Sequence, residues 1–233
     1  MRPRTAASWL PLRGGATAAA TAAAARRFGA PARALGRTGL SLSPLAMAAD
    51  GLRDADPLHA RALAAALAAG VNLVTVREPA SEGSMIAREL ANACHGGDAT
   101  REQLVIALQL EDADVSAERL DRARARLGLA HLDLALLPVD APEPTAATRA
   151  AVASLQAELA RGTLGAWGLS TRGVLPSLPP WLALGGDAAA PVAVPVPVNL
   201  LALAPACADA GPSWLRGADE AAVAALASQT IRA

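Results

Sequence analysis

Few side chains in this sequence have types or spacings that could do chemistry. Cys94 and Cys207 each stand without a second cysteine at metal-ligand or redox spacing, as free, apolar-packed thiols do in a reducing compartment. His59, His95 and His131 are equally scattered, and Cys94-His95 is adjacent rather than spaced for chelation, so no metal site is expected. The chain contains no Tyr and no Lys. Those absences remove a phenol as general acid and an ammonium as Schiff base or charge partner, whatever the fold. The polar groups that remain where a barrel would build its site, at the carboxyl ends of apolar runs, are Gln109, Asp140, Ser170, Thr171 and Arg172.

The elements that must position these groups follow a repeating pattern of apolar strand, loop and amphipathic helix. Residues 35–49 read as a short hairpin and a first strand. A helix over 56–70 has Asp56 as its cap, Pro57 in its first turn and Gly70 after its end. Strands are expected over 71–76, 103–110, 131–138 and 163–170, separated by helices over 82–94, 116–128 and 145–161. A Pro-broken helix over 175–184, a sixth strand over 192–201 and a last helical stretch over 218–227 complete the pattern. Strands alternating with helices of ten or more residues imply parallel βαβ units with right-handed crossovers. The expected fold is α/β, an incomplete (β/α)8 TIM-type barrel of about six βα units with an N-terminal targeting extension, because 233 residues are few for eight units. The expected organisation is a presequence or N-terminal arm over 1–34, the partial barrel over 35–205, and a tail with one helix over 206–233.

Residues 1–49 carry no Asp or Glu, yet hold Arg2, Arg4, Arg13, Arg26, Arg27, Arg33 and Arg37 among Ala, Thr, Ser and Gly. That composition is expected of an organellar transit peptide. The Ala-rich run 16–25 can form a basic helix, and Arg26-Arg27-Phe28 followed by Gly29-Ala30 resembles a mitochondrial processing site. The expected compartment is therefore mitochondrial, with the chloroplast as the alternative. From residue 38 onward 14 Arg face 21 acidic side chains, a net of −7, which excludes nucleic-acid binding by charge. No stretch reads as a membrane span.

A series of short matches then runs in order along the chain. Leu35-Gly36-Arg37-Thr38-Gly39-Leu40-Ser41-Leu42-Ser43-Pro44-Leu45 resembles the opening hairpin of the aldo-keto reductases. Ala69-Gly70-Val71-Asn72 before the second strand, Arg101-Glu102 through Val105-Ile106-Ala107 at the third, and Arg126-Leu127-Gly128-Leu129 with Asp133-Leu134 at the fourth resemble the same family. So do Arg161-Gly162 through Gly168-Leu169-Ser170 at the fifth and Asn199-Leu200-Leu201 at the sixth. The resemblance implies NADPH-dependent carbonyl chemistry with a Tyr acid, a Lys and an Asp that lower its pKa, and a His that orients the substrate. Carried over position by position, these fall at Ala80, Gln109, Thr75 and Pro138 in that order. The nicotinamide positions fall at Ser170, Thr171 and Pro195, of which only Ser170 matches.

Hydride delivery to a carbonyl needs a proton donor at the developing alkoxide and surroundings tuned to release the proton. The expectation is thus a pseudoenzyme with no catalytic residue, no cofactor and no metal, in which Ser170 and Thr171 are the remaining cofactor-side candidates. Its expected role is that of a structural, accessory subunit of a larger mitochondrial assembly, with other protein subunits as partners. The alternatives are a divergent NADPH-dependent oxidoreductase, built on Gln109, Asp140, Ser170, Thr171 and Arg172, and an NADPH-binding sensor. Pro191, Pro195 and Pro197 would blunt the open edge of the sixth strand. Trp9, Trp181 and Trp214, in loop-like surroundings, are candidate anchors for a partner, with ordinary core or loop packing the preferred reading for Trp181; Trp167 is expected in the core, and Arg119, Arg122, Arg124 and Arg126 are expected on a solvated outer helix.

Overall fold

A computed structural model of the chain describes residues 11–27, 32–49, 57–78, 83–139, 141, 143–171 and 179–185. The sixth strand, the 218–227 helix, Ala80, Asp140, Arg172, Pro195, Trp9, Trp214 and Cys207 lie outside the described residues.

The apolar runs pair into one parallel sheet in chain order: β3 (Met47–Ala48), β4 (Leu73–Arg77), β5 (Val105–Gln109), β6 (Leu132–Val139) and β7 (Leu164–Thr171). Helices α2 (Pro57–Ala68), α3 (Gly83–Gly96), α4 (Ala117–Leu127) and α5 (Ala146–Ala160) make the crossovers, with a short α6 (Pro179–Leu182) after β7. Their ends follow from local chemistry. Ser116 accepts a hydrogen bond from the Arg119 N–H to start α4, and Gly128 ends it with a φ of 64°, a left-handed turn that a side chain would strain. Thr145 and Thr148 exchange side-chain and backbone hydrogen bonds to start α5.

Because strand side chains alternate, the sheet has two apolar faces. The outer face, including Val74, Ile106, Leu108, Leu137 and Trp167, packs under the helices. The inner face carries Val105, Ala107, Leu134, Leu136 and Ala166. Trp181 is fully buried in the outer core, in line with the packing reading preferred for it over the anchor role, and Trp167 is buried as expected. Cys94 is partly buried, and burial raises its thiol pKa above the ordinary value.

The amino-terminal end of the sheet is covered by the antiparallel hairpin of β1 (Arg33–Ala34) and β2 (Ser41–Leu42) and by α1 (Ala18–Arg27). The segment sequence patterning assigns to a targeting extension is here packed on the barrel: Thr21, Ala24 and Ala25 are buried. Beneath it, Asn72 donates to the carbonyls of Ser41 and Thr21 and accepts from the Ser43 N–H. Asp133, 2 % exposed, accepts from Arg101 Nη2 at 2.8 Å, from the Ile106 N–H at 2.8 Å and from the Ala16 N–H at 2.7 Å. No helix among the described residues is long and apolar enough to cross a membrane.

Candidate functional site

Strand alternation brings Thr75, Arg77, Gln109, Pro138 and Ser170 to the inner face at the carboxyl ends of β4 to β7, the end at which barrel enzymes build their sites. The register sets their spacing: Arg77 lies beside Gln109, Gln109 beside Leu136, and Pro138 beside Ser170. Three of the four positions assigned to catalysis by resemblance therefore do converge on one mouth, occupied by Thr75, Gln109 and Pro138. The fourth, Ala80, lies outside the described residues.

Within this mouth Gln109 Nε2 donates to Ser170 Oγ at 3.3 Å, across β6. An amide and a hydroxyl neither gain nor lose a proton near neutral pH, so the pair can orient but cannot act as acid or base. Pro138 supplies no donor. It is tolerated because the β5–β6 register ends at Gln109 and Leu136, so its missing N–H lies past the last ladder partner on that side.

The rim beside the mouth is tied shut by charge. Arg119 Nε lies 2.9 Å from both oxygens of Glu78, its Nη1 lies 2.5 Å from Asp112 Oδ1, and it also donates to the Asp114 carbonyl. The Glu78 hydrogen bond, joined by that of Asp112, raises the Arg119 pKa above its ordinary value. Arg119 is thus spent on fixing the loop between β5 and α4 to the end of β4. Arg124 likewise turns inward, to Glu158 and Asp121, leaving Arg122 and Arg126 exposed on that helix.

Sequence reasoning missed Arg77 on the inner face and the whole rim, since the partners are 41 residues apart for Glu78 and Arg119 and nothing local signals them. Among the described residues, no group of three His, Cys, Asp or Glu is placed to hold a metal ion.

No family model matches the chain, and no curated protein sequence matches it. Solved structures do. An aldo-keto reductase from Bombyx mori, solved in complex with NADP, superposes with a TM-score of 0.59 at 19 % identity, over 73 % of this chain and 59 % of that one. The fold is an aldo-keto reductase fold. A second aldo-keto reductase, complexed with NADPH, gives a TM-score of 0.60 at 20 % identity, over 73 % of this chain and 55 % of its own. A protein from Pseudomonas aeruginosa assigned as an aldo-keto reductase gives 0.50 at 24 % identity, over 64 % of each chain. This chain therefore spans less than two thirds of the length of these aldo-keto reductase structures.

The nicotinamide positions can be tested against such a cofactor. Ser170 is 8 % exposed and its hydroxyl is engaged by Gln109. Thr171 contributes its backbone to β7. Of the three nicotinamide positions, Ser170 is therefore the one whose side-chain contact is described, and that contact is to Gln109.

Proposed function

We propose that this chain is a catalytically inactive, aldo-keto reductase-like protein that serves as a structural, accessory subunit of a larger organellar assembly, with the mitochondrion as its compartment. The observation that carries the reading is the content of the mouth: Thr75, Gln109 and Pro138 stand where an acid's tuning charges and a substrate donor belong, and the sequence holds no Tyr or Lys to replace them.

The pattern of matches supports it. Asn72, Arg101 and Asp133, which carry the family resemblance, are all buried at the amino-terminal ends of the strands, where barrel residues maintain stability. Resemblance is lost at the opposite end, where barrel residues do chemistry, with Ser170 the exception. A chain relieved of catalysis keeps the floor of its barrel and loses the mouth. The Arg-rich, acid-free N-terminus favours import, and protein neighbours are the partners this role requires.

The second reading is NADPH binding, as a sensor or a divergent oxidoreductase, and the NADP and NADPH complexes of the similar solved structures favour it. Two measurements separate the readings. Native fractionation of isolated organelles should place the endogenous protein in a particle far larger than its own 23.4 kDa; recovery as a free monomer would overturn the subunit role. Titration of recombinant full-length protein with NADPH, followed by cofactor fluorescence, should stay flat. Saturable binding would establish the second reading, and turnover of an aldehyde in the same cuvette would establish an enzyme.

A further inference from the structure

We infer that residues 12–27 are a permanent plug in the barrel floor, retained in the mature protein, so that any processing protease cuts before Leu12 and not at the Arg26-Arg27-Phe28 motif. This is independent of whether the mouth is catalytic.

The segment is joined to the barrel by main-chain pairing first. The Leu12 N–H donates to the Gly128 carbonyl at 2.7 Å, and its carbonyl accepts from the Ala130 N–H at 3.1 Å, a parallel bridge beside Leu129. Thr17 N–H then donates to the Glu102 carbonyl at 3.0 Å.

Between those points the chain passes so close to His131 that a side chain at position 15 would force the imidazole to shift. A Cβ on Gly15 would lie 2.5 Å from His131 Nδ1 and 3.1 Å from Asp133 Oδ1. The next residue completes a buried ion site. Asp133 Oδ2 is taken by Arg101 and the Ile106 N–H, while Oδ1 accepts the Ala16 N–H at 2.7 Å. Without Ala16, that oxygen of a nearly inaccessible carboxylate would keep only His131 Nδ1, 3.5 Å away and outside hydrogen-bond range. Stripping a partner from a buried charge is among the more damaging changes a fold can suffer.

The helix continues the same work. Thr21 Oγ1 accepts the Ser41 N–H at 3.1 Å, the Thr21 carbonyl accepts Asn72 Nδ2 at 3.4 Å, and Arg27 donates to the Asp98 carbonyl and Gln103 Oε1, each at 3.0 Å. Ala16 itself packs with Leu40 and Leu42 against the inner core. Cleavage after Arg27 would remove every one of these contacts at once. A presequence destined for removal has no physical reason to thread closely past His131 and to supply one of the three hydrogen-bond donors to a buried carboxylate.

Two measurements test the inference. Tryptic mass spectrometry of the endogenous protein should recover the peptide 14–26 in the same molar amount as the body peptide 127–149; a deficit of about tenfold or more, beyond the reach of local fraying, would overturn the inference. Hydrogen exchange on recombinant full-length protein should show the amides of residues 16–25 protected, and Gly15→Val should speed their exchange by roughly tenfold or more while β6 stays protected. Exchange of wild-type 16–25 at the rate of an unstructured peptide would also overturn it, and that reading stands whether or not the variant folds.

Discussion

Glu158, on the last turn of α5, is a carboxylate only 2 % exposed, and its protonation state couples the fold to pH. Burial alone would raise its pKa. The hydrogen bonds from Thr163 Oγ1 at 2.6 Å and Arg124 Nη1 at 3.3 Å, together with the Arg161 charge, outweigh that and hold it below the usual carboxylate range. A group depressed in the folded state contributes stability that is fully present above its unfolded value and is lost as pH falls through the folded one. Denaturant titration at pH 7 should therefore find Glu158→Gln less stable by about 2 kcal/mol, the scale of a hydrogen bond to a charged group. The gap should close as pH falls below the ordinary carboxylate range and through the depressed folded value, where the wild-type carboxyl takes up its proton. A gap that stays constant from pH 7 to about 3 would show that shape, not charge, sets the cost.

At the scale of elements, the α4 ends give a clean measure of how far local rules govern this fold. Ser116→Ala should cost about 1 kcal/mol through loss of the cap to the Arg119 N–H, and Gly128→Ala a similar amount through its left-handed φ of 64°, both read as shifts in denaturation midpoint with unchanged slope. These ends were legible in the sequence because a helix start and stop are written in adjacent residues. So were β4 to β7 and their crossovers, as apolar runs separated by helical stretches of ten residues or more. The docking of α1 was not legible. An Ala-rich, Arg-tipped helix carries the same local signal whether it is an import signal or a packed element, and its partners, Asn72, Gln103 and Asp98, are 51 to 76 residues away. Trp181 was legible in part: a Pro-broken helix is expected over 175–184, and Pro179 and Pro180 begin a single helical turn that tucks the indole into the core. At the mouth, family likeness located Thr75, Gln109 and Pro138, but the Gln109–Ser170 pairing needed the sheet register to bring residues 61 apart together.

Across the whole molecule the two ends of the barrel differ in what they contribute, and this yields a test that neither end supplies alone. The floor concentrates buried charge: Arg101 and Asp133 are 5 % and 2 % exposed, and Asp133 binds the N-terminal segment as well as β5. Asp133→Asn should cost about 3 kcal/mol or more, as breaking a buried ion pair does, and under the proposed subunit role a chain so weakened should fail to enter an assembly. At the mouth Gln109 and Ser170 share a long amide-to-hydroxyl hydrogen bond, whose loss in Gln109→Leu or Ser170→Ala should cost about 1 kcal/mol at most. If the protein works by shape, cells carrying either mouth variant should assemble and grow as wild type, while the floor variant should not. If instead a mouth variant assembles at wild-type levels yet reproduces the loss-of-function phenotype, the polar residues at the carboxyl ends of the strands must act on a small molecule, because nothing else about the subunit would have changed.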